Sequence, residues 1–330
     1  MNIFLTLDYE LFFGNNCGTQ EKSIVSPTKR LLEVLNKYGV KASFFVDAGY
    51  LLKLKEFRKS NSTLELDYQA LFKQLMLLSE TGHDIQLHIH PHWEDSYFEG
   101  ATWVIDTSRY KIHDFSYEEV DGLVRRYKQV LTDLIDKEPF AYRAGGWCIQ
   151  PFTHLKSALK LNNIWLDSTL YQNGKNNSAT HYFNFKGMPD KSLWRFEDDP
   201  LHETEHGYFT EIPISSYRVS PLFFWKMVFY KKLGSGKHKS FGDGSGVGGS
   251  GLDKLRMLTR FTNSVVSVDG YKASYLQAAY RQFLKKCDHE NFVIIGHPKA
   301  MSEYSLEKLE QFIKLNISNN FTTFSNAFGV

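Results

Sequence analysis

GHDIQLHIHPHW, residues 82–93, sets four histidines within ten positions, at 83, 88, 90 and 92. The whole chain of 330 residues holds only 12, and imidazole is the side chain that titrates and binds metals near neutral pH. Ile85-Gln86-Leu87 reads as a short buried strand, which Pro91 breaks into a turn. Imidazoles at a strand end, on backbone fixed by a sheet or barrel, suit a divalent metal ion. Other polar side chains ending strands at the same place would complete such a site.

Composition narrows the class. Hydrophobic residues make up 42% of the chain and aromatics 15%, enough for one large core. The net charge is +2, and the cations form no stripe, which argues against a nucleic-acid partner. Cys17, Cys148 and Cys287 are odd in number and unrelated in spacing, so neither a disulfide framework nor a CxxC metal pair is expected. The first residues, MNIFLTLDYE, lack the basic start of a secretory signal. No apolar run reaches bilayer length. A soluble, cytoplasmic protein is the expectation, and no protein partner is evident.

Along the chain, residues 2–7 read as a strand running into Asp8-Tyr9-Glu10. Ser26-Pro27 reads as an N-cap with proline at the first helical position, and Gly39 as the stop of that helix. Residues 41–46 form a second strand ending at Asp47, and residues 66–79 a helix with Leu71, Leu75 and Leu78 on one stripe. After the histidine strand comes an edge strand over 102–105. Ser116 and Glu119 then make a capping-box pattern for a long helix reaching about residue 135. Residues 140–143 form a strand broken by Gly145-Gly146, residues 152–161 a helix, and residues 164–166 a strand ending at Asp167.

Such β-α alternation, with polar residues at strand ends, argues an α/β fold whose site residues gather on one face. Beyond it, residues 173–192 read as loop and 208–214 as a strand. Residues 218–232 read as an aromatic helix with basic flanks, and 234–251 as a glycine-rich loop. The GSGK at 234–237 lacks the earlier glycine of a phosphate-binding loop. Residues 274–284 and 306–315 read as helices. Residues 292–295 read as a buried strand ending at His297, and 321–324 as the segment that closes the barrel.

Asp8, Glu10, His88, His92, Arg143, Asp167 and His297 thus lie at or just past strand ends. This ordered set resembles the polysaccharide deacetylase (NodB-homology, carbohydrate esterase family 4) superfamily. Thr6-Leu7-Asp8-Tyr9-Glu10 is similar to its acidic first motif, and Gly82–His92 to its G-H-E-I-x-x-H-[ST]-x-x-H motif. Arg143-Ala144-Gly145-Gly146, Trp165-Leu166-Asp167 and Val293–His297 resemble the third, fourth and fifth, and Glu211-Ile212-Pro213 a further strand motif. The resemblance implies a distorted (β/α) barrel of about seven parallel strands. It covers almost the full length, excepting residues 173–192 and 218–251, and implies a single domain over residues 1–330 with a loop and helix insertion at about 215–255.

The resemblance also implies a hydrolase of amide, not peptide, bonds that removes an acyl group, N-acetyl first, from a sugar or polysaccharide precursor. Its metal would be zinc first, with cobalt, nickel or manganese as the other options. Glu10, His88 and His92 would be the ligands, with His90 as the alternative, because Pro91 sets which histidine turns inward. Asp8 would be the base and His297 the acid; Arg143 would hold Asp8, and Asp167 would support His297. A backbone N–H near Gly145-Gly146 would help the oxyanion. Trp93, Tyr142 and Trp147 would stack on sugar faces, and His83 would be structural. Ile89 departs from the motif, removing a hydroxyl.

Other readings stay open. They are a related barrel hydrolase on a non-acetyl amide or a glycosidic bond, which would need two carboxylates and no metal, and a non-catalytic glycan binder. Residues 218–232 read as a core or lid helix or, alternatively, as a peripheral contact with a membrane or lipid-linked glycan.

Overall fold

The computed structural model describes residues 1–246, 255, 257–286 and 289–330; residues 247–251 of the glycine-rich run and Cys287 lie outside them. The chain forms two compact units, residues 1–42 with 214–323 and residues 43–213 with 324–330.

In the first unit, the strand Asn2–Tyr9 is buried along nearly its whole length, as a strand covered on both faces must be. It pairs in parallel with Asn291–Gly296, from Asn2 opposite Asn291 to Leu7 opposite Gly296, and with Asn320–Thr322. Helix Ser26–Asn36 buries Leu31, Leu32 and Leu35. Ser26 is not its N-cap. A π-helical turn, Glu21–Val25, runs straight into the helix, so Ser26 already has helical φ and ψ. Ser216–Val219 pairs antiparallel with Thr262–Val265, so Arg218 and Val219 belong to a strand. The expected aromatic helix spans Pro221–Leu233. The last two helices of this unit are Leu276–Phe283 and Glu303–Asn316.

The second unit carries five parallel strands in the order Ser43–Asp47, Asp84–Ile89, Ala141–Ala144, Leu166–Asp167 and Phe209–Glu211. Trp194–Phe196 adds antiparallel at its edge. Its main helices are Ala48–Phe57, Ser62–Glu80, Tyr117–Ile135 and Thr153–Leu161. The capping box forms as expected: Ser116 Oγ accepts from the Glu119 amide at 3.3 Å, and Glu119 Oε2 from the Ser116 amide at 2.7 Å. Register aligns the polar strand ends: Asp47 opposite His88, His88 opposite Arg143, Tyr142 opposite Asp167, and Asp167 opposite Glu211.

Helix Ala48–Phe57 was not expected from sequence, because it follows Asp47 with no intervening loop. The segment read as loop at 173–192 contains a small hairpin, Lys175–Asn177 with Tyr182–Asn184. Among the described residues, no helix is long and apolar enough to cross a membrane.

Candidate hydrolytic centre

The histidine strand stays extended one residue past Ile89, with His90 at φ −111° and ψ 96°. Alternate strand residues share a face, so His88 and His90 point the same way. Their Nε2 atoms lie 3.1 Å apart. His88 Nδ1 is 2.8 Å from the Arg143 carbonyl oxygen. A carbonyl only accepts, so Nδ1 bears the hydrogen and Nε2 of His88 presents a lone pair. Two ring nitrogens in this disposition, one fixed from behind by a backbone carbonyl, are prepared to share a cation.

Pro91 opens the 3-10 turn Pro91–Glu94, which carries His92. The His92 ring lies nearly parallel to Tyr110, at 5.2 Å and 6°, and stacks on Trp93 at 5.6 Å. The imidazole paired with His88 is that of His90, and the His92 ring lies 5.4 Å from the His90 ring, edge to face. Gly145 makes room for His90: a Cβ there would stand 2.5 Å from His90 Nδ1 and 2.5 Å from the Ile89 carbonyl oxygen.

Arg143 is buried, as Nε donates to the Ser168 carbonyl at 2.7 Å and Nη2 to Ser168 Oγ at 3.0 Å. Its guanidinium also lies over the Phe45 ring at 4.1 Å. Asp167 accepts from Thr169 Oγ1 at 2.7 Å and stands opposite Glu211 in the strand register; Glu211 accepts the Leu170 amide at 3.0 Å. Two carboxyl groups in contact share a proton. Burial first, and then the Asp167 charge, push Glu211 well above the ordinary carboxylate range.

Of the three expected sugar-stacking rings, Tyr142 is in the core and Trp93 is 0% exposed, its indole N–H donating to Asp47 Oδ2 at 2.6 Å. Trp147 is half-buried and holds a positive φ of 60°, a conformation that costs a non-glycine residue energy and recurs at functional sites. His83 is buried beside Phe44, at 5.7 Å edge to face.

The first unit gathers the other groups. Asp8 and Glu10 are buried. His297 turns Nε2 towards Asp8 Oδ2 at 3.5 Å and Glu10 Oε1 at 3.8 Å. Its Nδ1 lies 2.8 Å from Asp269 Oδ2, and its backbone N–H donates to Asp269 Oδ1, also at 2.8 Å. Asp269 is thus a carboxylate that supports His297. Burial opposes charge on both groups. Their pairing nonetheless holds Asp269 below the usual range, and Asp269 together with Asp8 raises His297 to about 10. Lys299 Nζ donates to Glu10 Oε1 at 2.9 Å and to the Leu11 carbonyl.

Asp269 and Lys299 were missed from sequence. The signal for Asp269 was present: Val265, Val266 and Val268 are buried and lead directly to it, the same apolar-run-then-acid pattern read elsewhere. Gly296 brings it close, since a Cβ there would stand 2.3 Å from Val268 Cγ2. His88 and His90 are imidazole donors of the kind that suit a divalent metal.

No family model and no curated protein matches the sequence. Among solved structures, a candidate polysaccharide deacetylase from Mycobacterium smegmatis matches at 15% identity and a TM-score of 0.54, covering 99% of this chain and 88% of that one. PuuE allantoinase matches at 12% identity and a TM-score of 0.50, over 98% of this chain and 88% of that one. At such identity the shared property is the fold, and it extends over nearly all of both chains. The chain therefore has the polysaccharide deacetylase fold, the α/β distorted (β/α) barrel that its ordered motifs led us to expect.

Proposed function

We propose that the chain is a metal-dependent hydrolase that removes an acyl group, N-acetyl in the first instance, from a sugar or polysaccharide precursor. The observation that carries this reading is the 3.1 Å approach of His88 and His90 Nε2, in a chain that also buries Asp8, Glu10 and a carboxylate-supported His297. Glu10, His88 and His90 hold the metal in this reading. A divalent ion, zinc before cobalt, nickel or manganese, supplies Lewis acidity towards the acyl oxygen and acidifies water.

The side chains supply the rest. Asp8 Oδ2 takes the proton of the attacking water. Arg143 is the cation assigned in this reading to orient Asp8. His297 Nε2 passes its proton to the departing nitrogen, with Asp269 fixing Nδ1–H and stabilising the imidazolium. The Asp167–Glu211 pair is positional and sets the ground beneath Arg143. Trp147 is the ring left to stack on a sugar face.

The shared fold with an allantoinase favours one second reading, the same chemistry on a non-acetyl amide. An acetate-release screen over N- and O-acetylated sugars, run with each of the four metals, separates the two. Acetate release that depends on added metal supports the deacetylase. Metal binding without acetate release, together with ammonia or amine release from other amides, supports the second reading.

A further inference from the structure

Helix Pro221–Leu233 presents its apolar side outward. Leu222, Trp225, Phe229 and Leu233, at helical spacing on one face, are 60%, 56%, 56% and 73% exposed. Its inner side is anchored: Phe223 packs edge-on to Tyr275 at 4.6 Å, and Tyr230 stacks on Tyr271 at 5.0 Å. Those tyrosines belong to the turn Gly270–Tyr275, which begins at the residue after Asp269. Beside the helix, Phe261 is also exposed, under the Arg218 guanidinium at 5.0 Å.

Charge distinguishes this face from an ordinary sticky patch. Between Glu211 and Asp243 the sequence has no acid, yet it carries Arg218, Lys226, Lys231, Lys232, Lys237 and Lys239. Lys237 is tied to Glu307 at 2.6 Å; Lys226, Lys231 and Lys232 are exposed and make no ion pair among the described residues. An exposed apolar face whose flanking sequence carries cations and no acid is complementary to a surface with an oily interior and anionic edge. A second copy of the chain fits it poorly, because the lysines would meet their own equivalents with no acid from this segment to neutralise them. The helix has 13 residues, too few to span a bilayer.

We propose that this face docks the protein on an anionic membrane, with Trp225 and Phe229 in the headgroup boundary and the lysines on lipid phosphates. Docking would bring the His297–Asp269 end of the first unit to the lipid surface, where a lipid-linked glycan presents its sugars. The inference stands apart from the hydrolase reading, since vesicle binding is read without any turnover.

The test is flotation of the full chain with phosphatidylcholine vesicles, alone or with about a third phosphatidylglycerol. We expect binding to the anionic vesicles, weak binding to the neutral ones, and release in high salt. Trp225→Ser/Phe229→Ser should lower the bound fraction about tenfold or more with unchanged melting, and Lys226→Glu/Lys231→Glu/Lys232→Glu should abolish the anionic preference. Absence of binding by the intact chain overturns the proposal, and so does equal binding by both variants. A concentration-dependent dimer that the serine pair dissolves would assign the face to a second copy and equally overturn it.

Discussion

His90 and His92 differ by two positions in sequence and by much more in their surroundings. His90 continues a strand and meets His88; His92 follows Pro91 into a turn and stacks between aromatic rings. His90→Ala is therefore expected to abolish metal binding, whereas His92→Ala keeps it, as isothermal titration with zinc will read. Gly145→Ala inserts a methyl against His90 and should weaken zinc binding by about 10- to 100-fold, the scale on which mispositioned ligands act. Asp269→Asn leaves His297 without its charged partner. Steady-state kinetics should show kcat down by about a hundredfold or more with KM little changed. A change confined to KM would move Asp269 out of the proton-transfer step.

At the scale of elements, the Asp167–Glu211 contact joins the ends of two neighbouring strands, Leu166–Asp167 and Phe209–Glu211. Glu211 has a higher pKa folded than unfolded, so the folded chain keeps a proton that the unfolded chain releases. Stability accordingly falls as pH rises above the ordinary glutamate value. Glu211→Gln mimics the protonated form. Its melting temperature should decline less than that of the wild type between about pH 5 and about pH 8; equal declines would remove the raised pKa. Elements with local chemistry were legible from sequence: the Ser116–Glu119 box marked a helix start to the residue. Helix Ala48–Phe57 was not, since it needs no loop after Asp47. Nor were the different surroundings of His90 and His92, which depend on how far a strand runs before a proline turn.

At the scale of the whole molecule, the polar strand ends were readable because each interrupts an apolar run, and their order pointed to the fold. Asp269 escaped because its partner His297 lies 28 residues away and only the folded chain brings the two together. A metal that binds the folded chain alone stabilises it by about 2.7 kcal/mol at a hundredfold excess over Kd, so zinc should raise the melting temperature and a chelator reverse the rise. The central claim is that Asp8 acts as base beside a centre held by Glu10, His88 and His90. It is tested most directly by measuring metal content and acetate release on the same preparation of Asp8→Asn, beside the wild type. The account predicts equal metal in both and acetate from the wild type alone; an Asp8→Asn protein that still releases acetate would contradict it.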